Sequence, residues 1–273
     1  MSKKVVFITG ATSGIGKACA NYLASKGIRV YGTGRSLPKE DGSAMENLIL
    51  LPMDITKEES IKEAIDYVLE KEGRIDVLFN NAGMGISGSI EDTTIEEAKY
   101  IFETNFFGIM RVCNIVLPVM RSQKSGLIIN SSSIGGVIGL PFQGFYSASK
   151  FAVEGFSEAL SKEVKPFGLK VCILEPGDFR TSFTSSRKLV KQANEASPYH
   201  SQFVKAMEVI EKDENGGCDP EAIAKLIYKI ISSKRPALRY EVGYISQKFA
   251  LFVKKILPDR LFENIIINHY TAK

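Results

Sequence analysis

Six short apolar runs, each leading into a helical pattern, constrain the fold of this chain more than any other feature. They lie at 5–9, 28–33, 48–53, 75–79, 127–130 and 169–174, with a seventh candidate strand at 238–242. Between the first two, Ile15, Ala18, Cys19, Tyr22 and Leu23 recur at helical spacing until Gly27. After the third, Ile61, Ala64, Ile65, Val68 and Leu69 repeat the pattern up to Gly73, and Thr56 with Glu59 reads as a capping box. Thr94 with Glu97 reads as a second box, opening a long helix to about Met120 that should kink or break near Pro118. A helix over 146–164 is expected to bury Phe151, Ala152, Gly155, Phe156, Ala159 and Leu160. Strand, helix, strand units imply parallel pairs joined by right-handed crossovers. Their repetition predicts an α/β fold: a doubly wound parallel sheet of about seven strands with helices on both faces.

Nothing across 1–273 reads as a linker, and 44% apolar content is enough for one large core, so a single domain is expected. Residues 178–218 form an excursion without a strand, too long to be an idle connection. Within it, Ser197-Pro198 resembles a cap and first turn, opening a short helix with Phe203, Met207 and Ile210 on one side. The expectation is an amphipathic flap over the carboxyl edge of the sheet. From about 243 to 273, Ile245, Phe249, Phe252, Val253 and Ile256 recur at helical spacing beside Lys248, Lys254 and Lys255. Such a stripe is compatible with a membrane surface. Its commoner fate is packing against its own protein or a second subunit, and that is the expectation here.

A net charge of +4 is too mild to argue for nucleic acid, although ten Lys or Arg stand against five Asp or Glu from Asp219 onward. Cys19, Cys113, Cys172 and Cys218 stand singly, without metal or redox spacing, which points to a reduced, cytoplasmic compartment. No apolar run approaches the ~20 residues needed to span a bilayer, and 5–8 is far too short for a signal-peptide core. No metal constellation is found.

The turn after the first strand reads Thr9-Gly10-Ala11-Thr12-Ser13-Gly14-Ile15-Gly16. Between a strand and a helix, such a turn brings backbone close to a pyrophosphate and aims a helix N-terminus at it, as in Rossmann-type dinucleotide folds. The second strand ends in Gly34 and Arg35. An acidic side chain there reads a free ribose 2′-hydroxyl and a cation suits a 2′-phosphate, so Arg35 favours NADP(H) over NAD(H).

Ser131-Ser132-Ser133 end the fifth strand, and Tyr146 and Lys150 lie one turn apart at a helix start. That spacing projects phenol and ammonium from one face toward a common centre, which suggests proton transfer with a Ser as third partner. A phenol titrates near ~10, and making it ten times more acidic takes about 1.4 kcal/mol. An ammonium about 4 Å away at an effective dielectric of ~20 supplies roughly 4 kcal/mol, so Lys150 is expected to bring the Tyr146 pKa down by about three.

Together, the glycine turn, Asp54, Asn80-Asn81-Ala82-Gly83, Asn105, Ser133, Tyr146 with Lys150, and Pro176-Gly177 with Thr181 resemble the short-chain dehydrogenases/reductases. The likeness is close over about 3–181, and the 145–152 segment and the long flap most resemble the hydroxysteroid and retinol dehydrogenase branch. It implies Tyr146 as the proton donor or acceptor, Lys150 as the group that lowers its pKa and binds the nicotinamide ribose, and Ser133 as the donor to the substrate oxygen. Ser131 and Ser132 are adjacent alternatives that the Ser-Ile-Gly-Gly context sets aside. Asn105 would hold a water linking Lys150 to solvent. Cofactor contacts would come from Gly10, Thr12, Ser13, Gly14, Ile15, Gly16, Arg35, Asp54, Ile55, Asn81, Ala82, Gly83, Tyr146, Lys150, Pro176, Gly177, Phe179 and Thr181. His200 and His269 fit no catalytic position and read as surface residues. The family also forms homodimers or homotetramers through two long helices, here about 94–120 and 146–164.

The expected function is hydride transfer between NADP(H) and a secondary alcohol or ketone. Val137, Leu140, Pro141, Phe142 and Phe145 near the site suggest a lipophilic substrate of steroid, retinoid or fatty-ketone type. The alternative is an NADPH-sensing regulatory module without turnover, against which the full Asn105, Ser133, Tyr146 and Lys150 set argues.

Overall fold

The computed structural model describes residues 4–37 and 45–271, so the first three residues and the last two of the C-terminal segment lie outside the described residues. Seven parallel strands form one sheet in the order β3-β2-β1-β4-β6-β7-β9. They are β1 (Val5–Ile8), β2 (Arg29–Gly34), β3 (Leu48–Pro52), β4 (Val77–Asn80), β6 (Gly126–Ser131), β7 (Leu169–Pro176) and β9 (Arg239–Val242). The short strands β5 (Ile86–Ser87) and β8 (Lys188–Leu189) pair separately, so the flap does contain a strand. The sheet separates two apolar layers. Phe7, Ile61, Ile65 and Val112 pack on one face, and Ile8, Leu23, Ile129 and Ile227 on the other. Helices α1 (Gly14–Ser25) and α8 (Glu221–Ser232) cover the second face, and α2 (Glu58–Glu72), α4 (Gly108–Gln123) and α5 (Gly144–Val164) the first. Strand order reverses between β1 and β4, and the cleft opens at their carboxyl ends, where open α/β sheets hold ligands.

Several local expectations are corrected. Thr94 makes the expected capping box with Glu97 at α3 (Ile95–Phe102). Thr56 does not cap α2: its N–H and hydroxyl both donate to Asp54 Oδ1, at 3.0 and 2.8 Å, and Lys57 takes the cap position instead. The long helix changes register at Glu103–Phe107, a π turn between α3 and α4, and Pro118 sits inside α4. A single π turn in a helix is frequently found at a functional position, and this one carries Asn105.

The buried face of α5 is also different. Tyr146, Ser147, Ser149, Lys150, Val153, Glu154 and Ser157 turn inward, whereas Phe151, Gly155 and Ala159 are exposed and of the expected set only Leu160 is buried. The inward side is polar because it meets a polar edge of the sheet. Asn80 Nδ2 donates to Asn130 Oδ1 (2.9 Å), Asn130 Nδ2 to Ser157 Oγ (2.8 Å), and Ser157 Oγ to the Val153 carbonyl (2.6 Å).

Beyond β7, the one-turn α6 (Phe183–Ser186) and the 16-residue α7 (His200–Asn215) build the flap. Phe203, Met207 and Ile210 are buried on one side of α7 as expected. The helix starts at His200, because Ser197 Oγ accepts from Tyr199 N–H and donates to Asp92. The chain ends in α9 (Ile245–Ile256) and α10 (Asp259–Thr271), which pack over Ile138 through Leu251 and Phe262.

Candidate active site

A cavity of about 870 Å³ runs along the carboxyl edge of the sheet. Every expected catalytic or cofactor residue lines it except Gly16 and Asn105, which stand behind its wall. At one end, the turn after β1 is fixed by its neighbours. Thr9 Oγ1 accepts from the N–H groups of Asn81 and Ala82, both at 3.0 Å, and Asn81 Nδ2 donates to the carbonyls of Thr9 and Gly10, both at 3.1 Å. Asn81 therefore spends its side-chain amide on holding the turn, and Thr9, which no motif singles out, shares that work. Gly10 has φ +68°, and a Cβ at Gly16 would lie 2.1 Å from the Gly10 carbonyl oxygen, so neither position accepts a side chain without rebuilding the turn. Ser13 caps α1 without a side-chain hydrogen bond, which leaves its hydroxyl and the first-turn N–H groups facing the cleft. That cradle fits the pyrophosphate of a dinucleotide.

Farther along the same end lie Arg35, Asp54 and Ile55. Burial works against the Asp54 charge, but the Thr56 hydrogen bonds, with Lys57 and Arg35 nearby, hold its carboxyl below the usual range. Two neighbours missed in the sequence stand here: Tyr100 of α3 and Lys188 of β8. Lys188 Nζ donates to the Tyr100 hydroxyl at 3.0 Å, and with Arg35 nearby two cations act on one phenol and lower its pKa.

At the centre, the three serines part ways. The Ser131 carbonyl accepts from Lys150 Nζ at 2.8 Å, the Ser132 N–H donates to the Leu174 carbonyl at 2.8 Å, and the Ser133 side chain stands near enough to Tyr146 to act on its phenol. Ser133 Oγ also accepts from Gly135 N–H at 3.0 Å, which fixes its rotamer. The expected depression of Tyr146 is not found. Burial pushes the phenol up to about 12, Ser133 only partly opposing it, and Glu214 and Asp178 add to the rise. The cause is burial: taking the phenolate out of water costs more than its neighbours return. Lys150 is itself buried, which lowers its pKa to about 8.

Asn105 is fully buried and hydrogen-bonded. Its Nδ2 donates to the Met84 carbonyl (3.0 Å) and Ser149 Oγ (3.1 Å), and its Oδ1 accepts from Met84 N–H (2.9 Å). Any water held here would therefore sit on a carbonyl oxygen, not on the amide nitrogen.

The far wall departs furthest from expectation. Of Val137, Leu140, Pro141, Phe142 and Phe145, only Leu140 lines this cavity. Pro141 and Phe142 line a separate hollow of about 490 Å³, and Val137 and Phe145 pack into small apolar clusters. The apolar lining comes instead from Ile134, Ile138 and Phe183, from Ile210 of α7, and from Ala250, Ile265 and Ile266 of the C-terminal helices. These positions of the C-terminal helices carry no chemical motif and lie outside the apolar stripe read in the sequence, so sequence alone did not assign them to the site. His269, expected as a surface residue, is exposed yet lines this wall and hydrogen-bonds Asp213 at 2.8 Å. Nearby, Glu214 pairs with the buried Arg187 and accepts from the Thr184 hydroxyl at 2.7 Å. Burial, with Glu214 and Asp213 adding to it, pushes the Asp178 carboxyl up to about 6.

Comparison with known proteins agrees with this geometry. The family model for short chain dehydrogenases matches residues 4–192. A 3-ketodihydrosphingosine reductase from Bacteroides thetaiotaomicron is 45% identical over 273 residues, all of both chains. Retinol dehydrogenase 8 from Bos taurus is 34% identical over 86% of this chain and 80% of its own. The crystal structure of a short-chain dehydrogenase from Streptomyces avermitilis superposes with a TM-score of 0.84 at 33% identity, covering both chains in full.

Proposed function

The chain belongs to the short-chain dehydrogenase/reductase family, and on that premise we propose that it is an NADPH-dependent reductase of lipophilic ketones, best suited to a long-chain ketone with an amino group beside the carbonyl. The observation that carries the reading is the meeting of Ser133, Tyr146 and Lys150 at one point of a cavity whose other end is the glycine turn. When bound, the nicotinamide nucleotide supplies the hydride. Tyr146 gives its phenolic proton to the carbonyl oxygen, and Ser133 donates a hydrogen bond to the same atom as negative charge builds there. A phenol held at about 12 is protonated at neutral pH, the state that reduction needs. Lys150 has three donor protons and spends one on the Ser131 carbonyl. The other two remain for ribose hydroxyls, and its charge steadies the phenolate as the proton leaves. Asn105 fixes the Met84 backbone and offers a carbonyl oxygen to a water that would return a proton through Lys150.

Arg35, with Lys188 beside it, supports the choice of NADPH. The apolar wall from α7, α9 and α10 supports a lipophilic substrate, and the 45% identity to a 3-ketodihydrosphingosine reductase supports a long-chain one. Asp178, whose charge is felt at Tyr146, suits an ammonium next to the reacting carbonyl, whereas Glu214 is already paired with Arg187.

The test is NADPH oxidation with 3-ketodihydrosphingosine, its N-acyl derivative and a long-chain ketone without the amine. The free amine should be preferred. Asp178→Asn should erase that preference with little effect on the plain ketone; equal rates on all three would refute the amine reading. Tyr146→Phe should lower kcat about a thousandfold while NADPH binding persists. Tight NADPH binding without turnover on any ketone would favour the sensor alternative.

A further inference from the structure

The outward side of α9 carries four apolar residues that nothing among the described residues covers. Ile245, Phe249, Phe252 and Ile256 are 85%, 62%, 56% and 62% exposed. They stand at i, i+4, i+7 and i+11, a single narrow stripe along the helix. Lys248 and Lys255 project roughly 60–80° around the helix from that stripe, at the level where long cationic side chains border an apolar face. Between Gly243 and Pro258 there is no carboxylate. The opposite side of the same helix holds Leu251 in the core, and Ser246, Gln247 and Ala250 line the large cavity. On α10, Leu261 and Ile265 are exposed at i and i+4, and Ile265 is also part of the cavity wall. Both C-terminal helices therefore carry exposed apolar side chains and also line the catalytic cavity.

From this arrangement we infer that α9, with the adjoining end of α10, docks on an anionic lipid surface and sets the cavity mouth against it. Two occupants compete for such a face. An isologous contact with a second copy would have to cover Lys248, which has no acid on its own helix to meet it, and Lys255, which Glu241 of β9 meets at 3.5 Å, and lysine is depleted in subunit interfaces. A bilayer accepts both parts of the pattern. The phenylalanines and isoleucines enter the interface, and the lysines reach anionic headgroups. A lipid substrate would then pass between bilayer and cavity without crossing water. That purpose rests on the lipophilic-substrate reading above, whereas the binding itself does not.

The experiment is flotation of the full-length protein with vesicles of phosphatidylcholine alone or of phosphatidylcholine and phosphatidylglycerol in equal parts. Binding should require the anionic lipid and weaken with salt. Lys248→Ala should cost about fivefold in partition, Lys255→Ala less because Glu241 already pairs with it, and Phe249→Ser with Phe252→Ser about tenfold or more. Reduction of a short soluble ketone should be unchanged in all of them. The chain has no tryptophan, so Phe252→Trp adds a single reporter whose emission should shift to the blue on anionic vesicles. Absence of flotation on either vesicle would overturn the inference. So would a wild-type dimer in light scattering that the double serine variant dissolves, because the stripe would then be a subunit contact. Vesicle binding without turnover of long-chain ketones would leave the docking standing and remove the substrate reading.

Discussion

Lys150 must be charged to do its work, yet its position makes charge expensive. Burial lowers its pKa to about 8, with only Glu154 acting in the other direction. The ammonium is thus present below about pH 8 and lost above it, taking with it one hydrogen-bond donor and the field that steadies a Tyr146 phenolate. NADPH affinity and the reduction rate of the free enzyme should both decline above about pH 8. Lys150→Arg, which does not deprotonate, should remove the alkaline fall in affinity even where catalysis is impaired. Titrating NADPH fluorescence at neutral and alkaline pH checks this, and a flat profile in the parent protein would contradict it. At the end of the cavity beside β2, Lys188 donates to the Tyr100 hydroxyl and Arg35 stands near it. Arg35→Asp should weaken NADPH much more than NADH, and Lys188→Ala should weaken it in the same direction by a smaller factor. Equal losses for both nucleotides would refute the 2′-phosphate assignment.

Three elements are tied together by one guanidinium. Arg239 of β9 pairs with Glu154 of α5 at 3.2 Å and Glu175 of β7 at 3.1 Å, and also with Glu158 of α5. Burial raises Glu154, and burial together with Glu154 raises Glu175 to about 7, although Arg239 pulls both down. A folded-state pKa above the unfolded value means that stability is fully present below about 4.5 and lost as pH rises through about 7. Arg239→Met should therefore be mild near pH 5 and cost about 2 kcal/mol near pH 8, a value reduced because the guanidinium is 39% exposed. Urea melts at the two pH values check it. The same region shows where sequence reading ran out. The alternation of strands and helices was legible because seven apolar runs and their stop glycines repeat a simple period. The rest of the inward face of α5 was not, since Ser149, Glu154 and Ser157 look like solvent residues until the polar edge they meet is known. Thr56 misled for a similar reason: a capping box is a local pattern, and Asp54 two residues earlier competes for the same hydroxyl. The glycine turn, Ser133, Tyr146 and Lys150 were readable as a set because backbone clearance and side-chain spacing are both written in the motif. The cavity wall from α9 and α10 was not, being apolar residues with no spacing that distinguishes a pocket from a core.

At the scale of the whole molecule, α5 faces two ways. Its inner side holds Tyr146 and Lys150, and its outer side presents Phe151, 44% exposed, with exposed Gly155 and Ala159 and half-buried Phe156. An apolar face with two small residues lets another helix approach closely, and this chain supplies no such helix among the described residues. A second copy is the simplest cover, since an isologous contact would pair this face with itself. Sedimentation velocity should accordingly show a species at least twice the 30.1 kDa chain. Ala159→Arg should shift it toward monomer, because a buried guanidinium without a partner costs several kcal/mol. The consequence for activity follows from the helix being shared. When the outer face is uncovered, nothing outside the subunit steadies the turn that carries the phenol and the ammonium. Dilution below the dissociation constant should then lower kcat more than it changes KM, and Ala159→Arg should reproduce that loss at any concentration. The α9 stripe lies elsewhere, so vesicle binding by this variant should be retained. A monomer with full kcat would show that the site helix needs no partner.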